Sequence, residues 1–479
     1  MSSTATEAPA AKVPLLNVFT YGALGMPVAG FAVVFGVYLP RHYVSLGVGF
    51  VAVSAAVFIV RIIDMFFDPL VALVMDRTKT PIGRYRPWIL AGTPLVLLGI
   101  YMLLMPSGAV GAGYLILWLV VTYAGLSMMT LGLAAWGAVL AKGYNDRSRV
   151  YGWTQAMGVV GSIAILLLPV FTHGKIAPGL KSSMPMIGLI LIIAIPVALL
   201  ITTALTPEKV VPIPQRPQFK ASDYWLALKR PAMLRLILAD LALTLGPGTT
   251  GPLYVYYFHD AKGFSVQSVS LLLISYIGAG ILGAPFWGRL AERFGKHRTV
   301  QIACVAYSIT QATLMALPRM YGHYSFVQAI PTVIGMFAVG FCASAFLLLV
   351  RAMIADVADE VRLEQKQDLT SLLFSMVTTT SKIGGSITVA IVFPVLALVH
   401  YNGAEGAVNT PQAIFGLEMC YLFAPVILVW FGGAVLFGYK LDAKRHADIR
   451  AALASHDEAA ALESIAGPTP LTEAATAAE

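Results

Sequence analysis

Apolar residues run through almost the whole chain in stretches of about twenty or more, each closed by a short polar break. Stretches able to cross about 30 Å of hydrocarbon lie near 15–40, 47–75, 87–106, 111–141, 149–173, 184–206, 231–259, 265–291, 299–318, 325–353, 367–400 and 411–440. Each is read as a helix, because a bilayer offers no water to backbone groups and a helix satisfies its own. Several exceed the roughly 20 residues that a straight crossing needs, so tilted or curved helices are expected there.

One long hydrophilic break divides this pattern. Residues 207–230, PEKVVPIPQRPQFKASDYWLALKR, are rich in proline and basic residues and leave six runs on either side, in 15–206 and in 231–440. The halves echo each other. DRTKTPIGRYRP (76–87) follows the second run of the first half, and GRLAERFGKHR (288–298) follows the second run of the other. Two repeated halves with a site between them at mid-membrane depth is a common transporter plan. Residues 1–14 are polar with no cleavable signal pattern, so the first run is expected to remain as a spanning helix. Residues 441–479 read as a short helix that frays into disorder.

Composition narrows the class. The chain of 479 residues is 58% hydrophobic and only 12% charged, which is the make-up of a polytopic membrane protein. Its net charge of +8 therefore does not point to nucleic acid. Of the 32 lysines and arginines, 25 fall on the side that holds both termini and five on the other, which places both termini in the cytoplasm of an inner, plasma-type membrane. Cys304, Cys342 and Cys420 sit in apolar runs without metal-like spacing, so no disulfide, metal site or cofactor is expected.

The chemistry concentrates in Val60–Asp76, VRIIDMFFDPLVALVMD. Arg61, Asp64 and Asp68 share one helix face deep inside a spanning run. A charge near the bilayer centre costs ~2.5–3.5 kcal/mol even on the lenient insertion scale, so such groups face a polar cavity and a partner. Asp64 and Asp68 are a candidate cation-binding pair, with a static ion-pair network to Arg61 as the bland alternative. Lys382, about mid-way along the eleventh run, is a candidate counter-charge. Tyr254, Tyr256 and Tyr257 suggest an aromatic belt at the membrane interface.

RIIDMFFDPLVALVMDRTKTPIGRYRPWILAGTP (61–94) resembles the helix 2 to helix 3 signature of the glycoside–pentoside–hexuronide:cation symporters, the melibiose-permease branch of the major facilitator superfamily. YGALG (21–25), ADVADE (355–360) and KIGGS (382–386) agree with it. The resemblance implies an all-α membrane protein of two six-helix bundles. It implies that Asp64 and Asp68 belong to a coupling-cation site beside Lys382, that Trp136 stacks on a sugar ring, and that Thr378 lines the pocket with Lys382 and Arg61. The chain departs from the family where Pro27, Gly132 and Met157 stand in place of an aspartate, an aspartate and an arginine. The implied pocket is thus less polar than that of a disaccharide permease.

The function expected is symport of a glycoside or related sugar with H⁺ or Na⁺, by a protein that is not an enzyme and acts as a monomer in the bilayer. The proton is favoured, because Gly132 brings no side chain to complete a sodium cage. An amphiphile such as a lysolipid is the alternative solute, and a non-transporting receptor or scaffold the alternative class. Arg84, Arg86, Arg289 and Arg293 share the terminal side of the membrane with Asp146, Asp356, Asp359 and Glu360, and are expected to latch the inner gate there in the outward-facing state.

Overall fold

The computed structural model of the chain describes residues 13–455 except 79, 141–143, 172–179, 209–228, 321–325, 366–369, 405, 440, 442–444 and 454. The side chains of Asp146, Thr378 and Lys382 also lie outside that description. So do both outer tails and most of the central hydrophilic break.

Among the described residues, twelve helices are long and apolar enough to cross a membrane. They are α1 (Leu15–Ser45), α2 (Phe50–Arg77), α3 (Arg86–Leu104), α4 (Ala112–Leu140), α5 (Tyr144–Phe171) and α6 (Leu180–Leu205) in the first half. The second half holds α7 (Pro231–Ala261), α8 (Val266–Phe294), α9 (Lys296–Ala316), α10 (Phe326–Gln365), α11 (Thr370–Leu398) and α12 (Pro411–Val435). Most ends fall within a few residues of the hydropathy limits, but α10 runs twelve residues past its expected end at 353. Hydropathy drops at Arg351, yet Ile354, Val357, Ala358 and Val361 keep one face buried and carry the helix on.

The packing repeats. In the first half α1 packs on α5 and α6, α4 on α2 and α3, and α3 on α6. Adding six to each number gives the second half: α7 on α11 and α12, α10 on α8 and α9, α9 on α12. The fold is therefore two six-helix bundles. They meet along α2 with α11, α5 with α8, and α1 with α7. The paired basic loops repeat too, since Gly83 and Gly295 both adopt positive φ, at 116° and 85°, which favours glycine. In the first loop the buried Glu208 carboxylate accepts the backbone N–H groups of Arg84, Tyr85 and Arg86 at 2.6, 2.9 and 3.2 Å. Those donors open α3 and have no partner within the helix, so a carboxylate there satisfies both hydrogen bonds and dipole.

The end of the molecule remote from both termini is closed. Both α1 and α7 carry a π-helical segment there, at Val34–Tyr38 and Tyr256–Ala261. Arg41 on α1 reaches Asp260 on α7 at 2.8 Å, with only 7% of its side chain exposed. The same carboxylate accepts from Tyr401 at 2.5 Å and lies 2.5 Å from His259 Nδ1. Burial, then the neighbouring Asp260 carboxylate, push the Tyr401 phenol far above its usual range, so it stays a donor. Tyr38 and Ser270 hydrogen-bond across the bundles at 3.0 Å. Phe50 on α2 packs on Tyr256, Phe393 and Tyr401 of the other half at 5.0–6.1 Å between ring centroids. The expected tyrosine belt is not at the interface. Tyr254, Tyr256 and Tyr257 are all buried, because each ring finds a partner inside: Tyr257 stacks on Tyr421 at 3.9 Å and Tyr254 donates to Val269 O.

Removing one partner of a buried ion pair costs about 3–5 kcal/mol, so Arg41→Ala should open this end. In a Ser270→Cys background, labelling by a membrane-impermeant maleimide should be at least tenfold faster with Arg41→Ala than without, a factor that needs only about 1.4 kcal/mol. The native cysteines are all buried and give low background. Equal rates would show that Arg41 does not hold the closure.

Candidate functional site

Midway along α2, the charged face predicted from the sequence is built as a small polar cluster. Asp64 has a side chain only 10% exposed. One of its oxygens accepts from Ser127 Oγ on α4 at 2.7 Å, and Arg61 Nη1 stands 3.7 Å from the other. The Arg61 guanidinium lies 4.1 Å over the Tyr123 ring, also on α4, a cation–π contact that helps to hold a desolvated arginine. Asp68 follows one turn further along the same face. Pro69 comes next inside the helix and has no N–H, so the Met65 carbonyl one turn back loses its helical donor. The turn therefore presents carboxylates, a hydroxyl and a spare carbonyl within one stretch.

The cluster borders the seam between bundles. A cavity of about 200 Å³ is lined by Phe58, Arg61, Ile62, Asp64 and Met65 of α2 and by Ile383 and Ile387 of α11. Its walls are apolar apart from Arg61 and Asp64. The α11 turn that carries Thr378 and Lys382 thus lies at the depth of the α2 acids, although those two side chains lie outside the described residues.

Two expectations about α4 change. Trp136 is fully buried, with its indole N–H on Pro207 O at 3.3 Å, Arg86 over its ring at 5.1 Å and Tyr21 against its edge. It rivets the end of α4 to the end of α6. Nine residues separate it from Ser127, about 14 Å along a helix, so it offers no ring face beside Asp64 in this conformation. Gly132 likewise does not face the acids, since a Cβ there would meet Ile89 at 2.9 Å and the Tyr85 carbonyl. The α4 residue that faces Asp64 is Ser127, which the sequence reading missed. Met157, where the family was expected to hold an arginine, packs its sulfur on Gly22 of α1.

A family profile described as MFS/sugar transport protein matches residues 20–443. The chain belongs to this MFS sugar-transport family. Its members and structural neighbours are membrane transporters, not enzymes. The chain is similar, at 24% identity over 85% of its length and 84% of the relative, to an isoprimeverose transporter of Lactiplantibacillus pentosus. It is also similar, at 23% identity over 87% of its length and 81% of the relative, to the sodium-dependent lysophosphatidylcholine symporter 1 of Homo sapiens. Among solved structures it shares its fold with the nucleoside transporter NupG, with a TM-score of 0.64, 17% identity, and 89% and 100% of the two chains covered.

In this MFS transporter the charges at the terminal end are held within each half. Arg86 binds Thr206 O and approaches Glu208 at 3.9 Å. Asp356 pairs with Lys296 at 2.6 Å and with His446 at 3.4 Å. Asp359 pairs with His446 at 3.0 Å and Glu360 with Arg445 at 3.4 Å. Arg289 and Arg293 are exposed. The latch of the 2–3 and 8–9 loops, expected for the outward-facing state, is not made among the described residues here, where the bundles close at the opposite end; Asp146 lies outside the described side chains. His446 and Arg445, from the segment after α12, were not foreseen as partners.

Ser127→Ala removes a hydrogen bond to a charged group and should cost about 1.5–3 kcal/mol, seen as a lower unfolding temperature, with Ser127→Thr restoring most of it. Gly132→Asp should destabilise by a comparable amount without supplying a cation ligand, because its carboxylate is driven against Ile89. Full stability of Ser127→Ala, or a gain in cation affinity by Gly132→Asp, would overturn this geometry.

Proposed function

We propose that this MFS transporter moves a glycoside or related sugar together with a cation, by alternating access between its two bundles. The observation that carries the reading is the Arg61–Asp64–Ser127 cluster at mid-depth, fronting a cavity on the seam along which the bundles move. Carboxylates at that depth mark ion pathways. Family membership and the transport named for the isoprimeverose relative support the sugar class. We place both termini in the cytoplasm of an inner-type membrane, on the strength of the lysine and arginine distribution. A single chain carries both bundles, which fits action as a monomer.

The proton is our choice of coupling ion. Sodium needs several oxygens in one cage, and both Asp64 oxygens are already engaged by Ser127 and Arg61. A proton needs one carboxylate, and Asp68 stands next in line on the same face. The solute is expected to carry an apolar portion, because Phe58, Ile62, Met65, Ile383 and Ile387 dominate the cavity wall. That wall also favours a second reading, an amphiphile of the kind named for the human relative.

The test uses a p-nitrophenyl glycoside, a free disaccharide and a lysolipid as probes. Asp64→Asn and Asp68→Asn should each abolish gradient-driven accumulation in sealed vesicles while the protein still folds and inserts. The wild type should accumulate the aryl glycoside under an imposed pH gradient without sodium, and bind it at least as well as the disaccharide. Accumulation that follows only a sodium gradient would overturn the proton, preference for the lysolipid would favour the second reading, and undiminished uptake by both variants would overturn the site.

A further inference from the structure

Asp240 is a further acid placed inside a spanning helix, away from α2. It lies in the first third of α7, and only 3% of the residue is exposed. Among the described residues, the one hydrogen bond to its carboxylate comes from Ser381 Oγ on α11, at 2.7 Å. The charged groups around it are few. Arg351 on α10 acts on it from beyond ion-pair distance and is itself exposed. Lys382, the single charged residue of α11, follows Ser381 directly, with its side chain outside the described residues. The single charged residue of α12, Glu418, sits at the distal end with Lys262 and Arg319. On α7 itself, Arg235 is held by the Phe437 carbonyl, and His259 and Asp260 belong to the distal closure.

Asp240 and Asp64 of α2 flank neighbouring turns of α11. Helices α7 and α11 run side by side in one direction: Asp240 meets Ser381, a Cβ on Gly384 would meet Leu241 and Thr244, and a Cβ on Gly248 would meet Thr388. The next residues of the same α11 turn, Ile383 and then Ile387, face Arg61 and Asp64 across the cavity. The turn 381–387 is thus flanked by a buried acid from each bundle. On the terminal side, a cavity of about 800 Å³ reaches Ala232, Arg235 and Tyr439, and Asp240 lies about 8 Å further along α7 than Arg235.

We propose that Asp240 is a second proton-binding carboxyl, in the C-terminal bundle, coupled to the α2 acids through the α11 turn at Ser381–Ile387. A serine hydroxyl donates to a carboxylate and accepts from a carboxylic acid, so the Asp240–Ser381 contact serves both protonation states. Among the described residues no cation is bonded to Asp240; a buried carboxylate so placed is costly in a membrane, and the uptake of one proton from the terminal-side cavity neutralises it. A structural acid held as a carboxylate would show no protonation between the two pH values compared. The inference rests on the cation-coupled reading of the α2 acids, but its test does not use transport.

The experiment is infrared difference spectroscopy of the full chain in lipid nanodiscs, between high and low pH, with no solute present. Wild type should show a carbonyl-stretch band of a protonated carboxylic acid that is missing from Asp240→Asn and kept in the Asp64→Asn, Asp68→Asn double variant. Ser381→Ala should keep the band at a moved frequency. If Asp240→Asn does not fold, Ser381→Ala decides alone. A spectrum of Asp240→Asn that superposes on wild type, or an unmoved band in Ser381→Ala, would overturn the proposal. The band is read without solute or gradient, so it stands or falls apart from the vesicle test of the α2 acids.

Discussion

A carboxylate at the middle of a bilayer has to be answered by something, and in this protein the answer organises the fold. Asp64 is met by a hydroxyl and a guanidinium, and the guanidinium by an aromatic ring, all delivered by α2 and α4. That requirement explains why α2 packs on α4 inside its own bundle while its other face looks across the seam at α11. Every other element is free to be apolar because a helix needs no outside partner for its backbone. The energetic burden of the membrane therefore falls on a thin layer of side chains near mid-depth.

Above that layer the two bundles are fastened, and the fastening is of a different kind. Arg41, Asp260 and Tyr401 form a buried polar knot surrounded by aromatic rings from both halves. Below it, the charged groups at the terminal end pair within each half, as Asp356 does with Lys296 and Arg86 with Glu208. Contacts that cross the seam at one end only are what a two-state rocker needs, since each state keeps one set and gives up the other. The shift of six in helix numbering that maps one half's contacts onto the other's supplies two similar bodies for such a motion.

Much of this was legible in the chain. Hydropathy located the helices, because a 30 Å slab imposes length and apolarity with little freedom. Arg61, Asp64 and Asp68 stood out because charge is rare at that depth, and the paired basic loops at Gly83 and Gly295 were visible as a repeat. What sequence hid was helix phase. Trp136 and Gly132 were assigned by the family resemblance, but packing turns both toward the α3 and α6 side and leaves Ser127 to face Asp64. A serine in an apolar run carries no signal of its own. Asp240 was hidden by its position only five residues beyond Arg235, which reads as the polar end of a span. The far part of α10 was hidden by its charges, since only its buried face shows that the helix continues.

On the reading proposed above, cation binding in the mid-depth layer sets which end of the seam is closed. Distances between spin labels on the distal ends of α1 and α7, measured in nanodiscs as pH is varied, test it directly. The closed-end population should change with pH in the wild type and no longer respond in the Asp64→Asn, Asp68→Asn variant. A wild-type distribution that ignores pH, or a variant that responds as the wild type does, would contradict it.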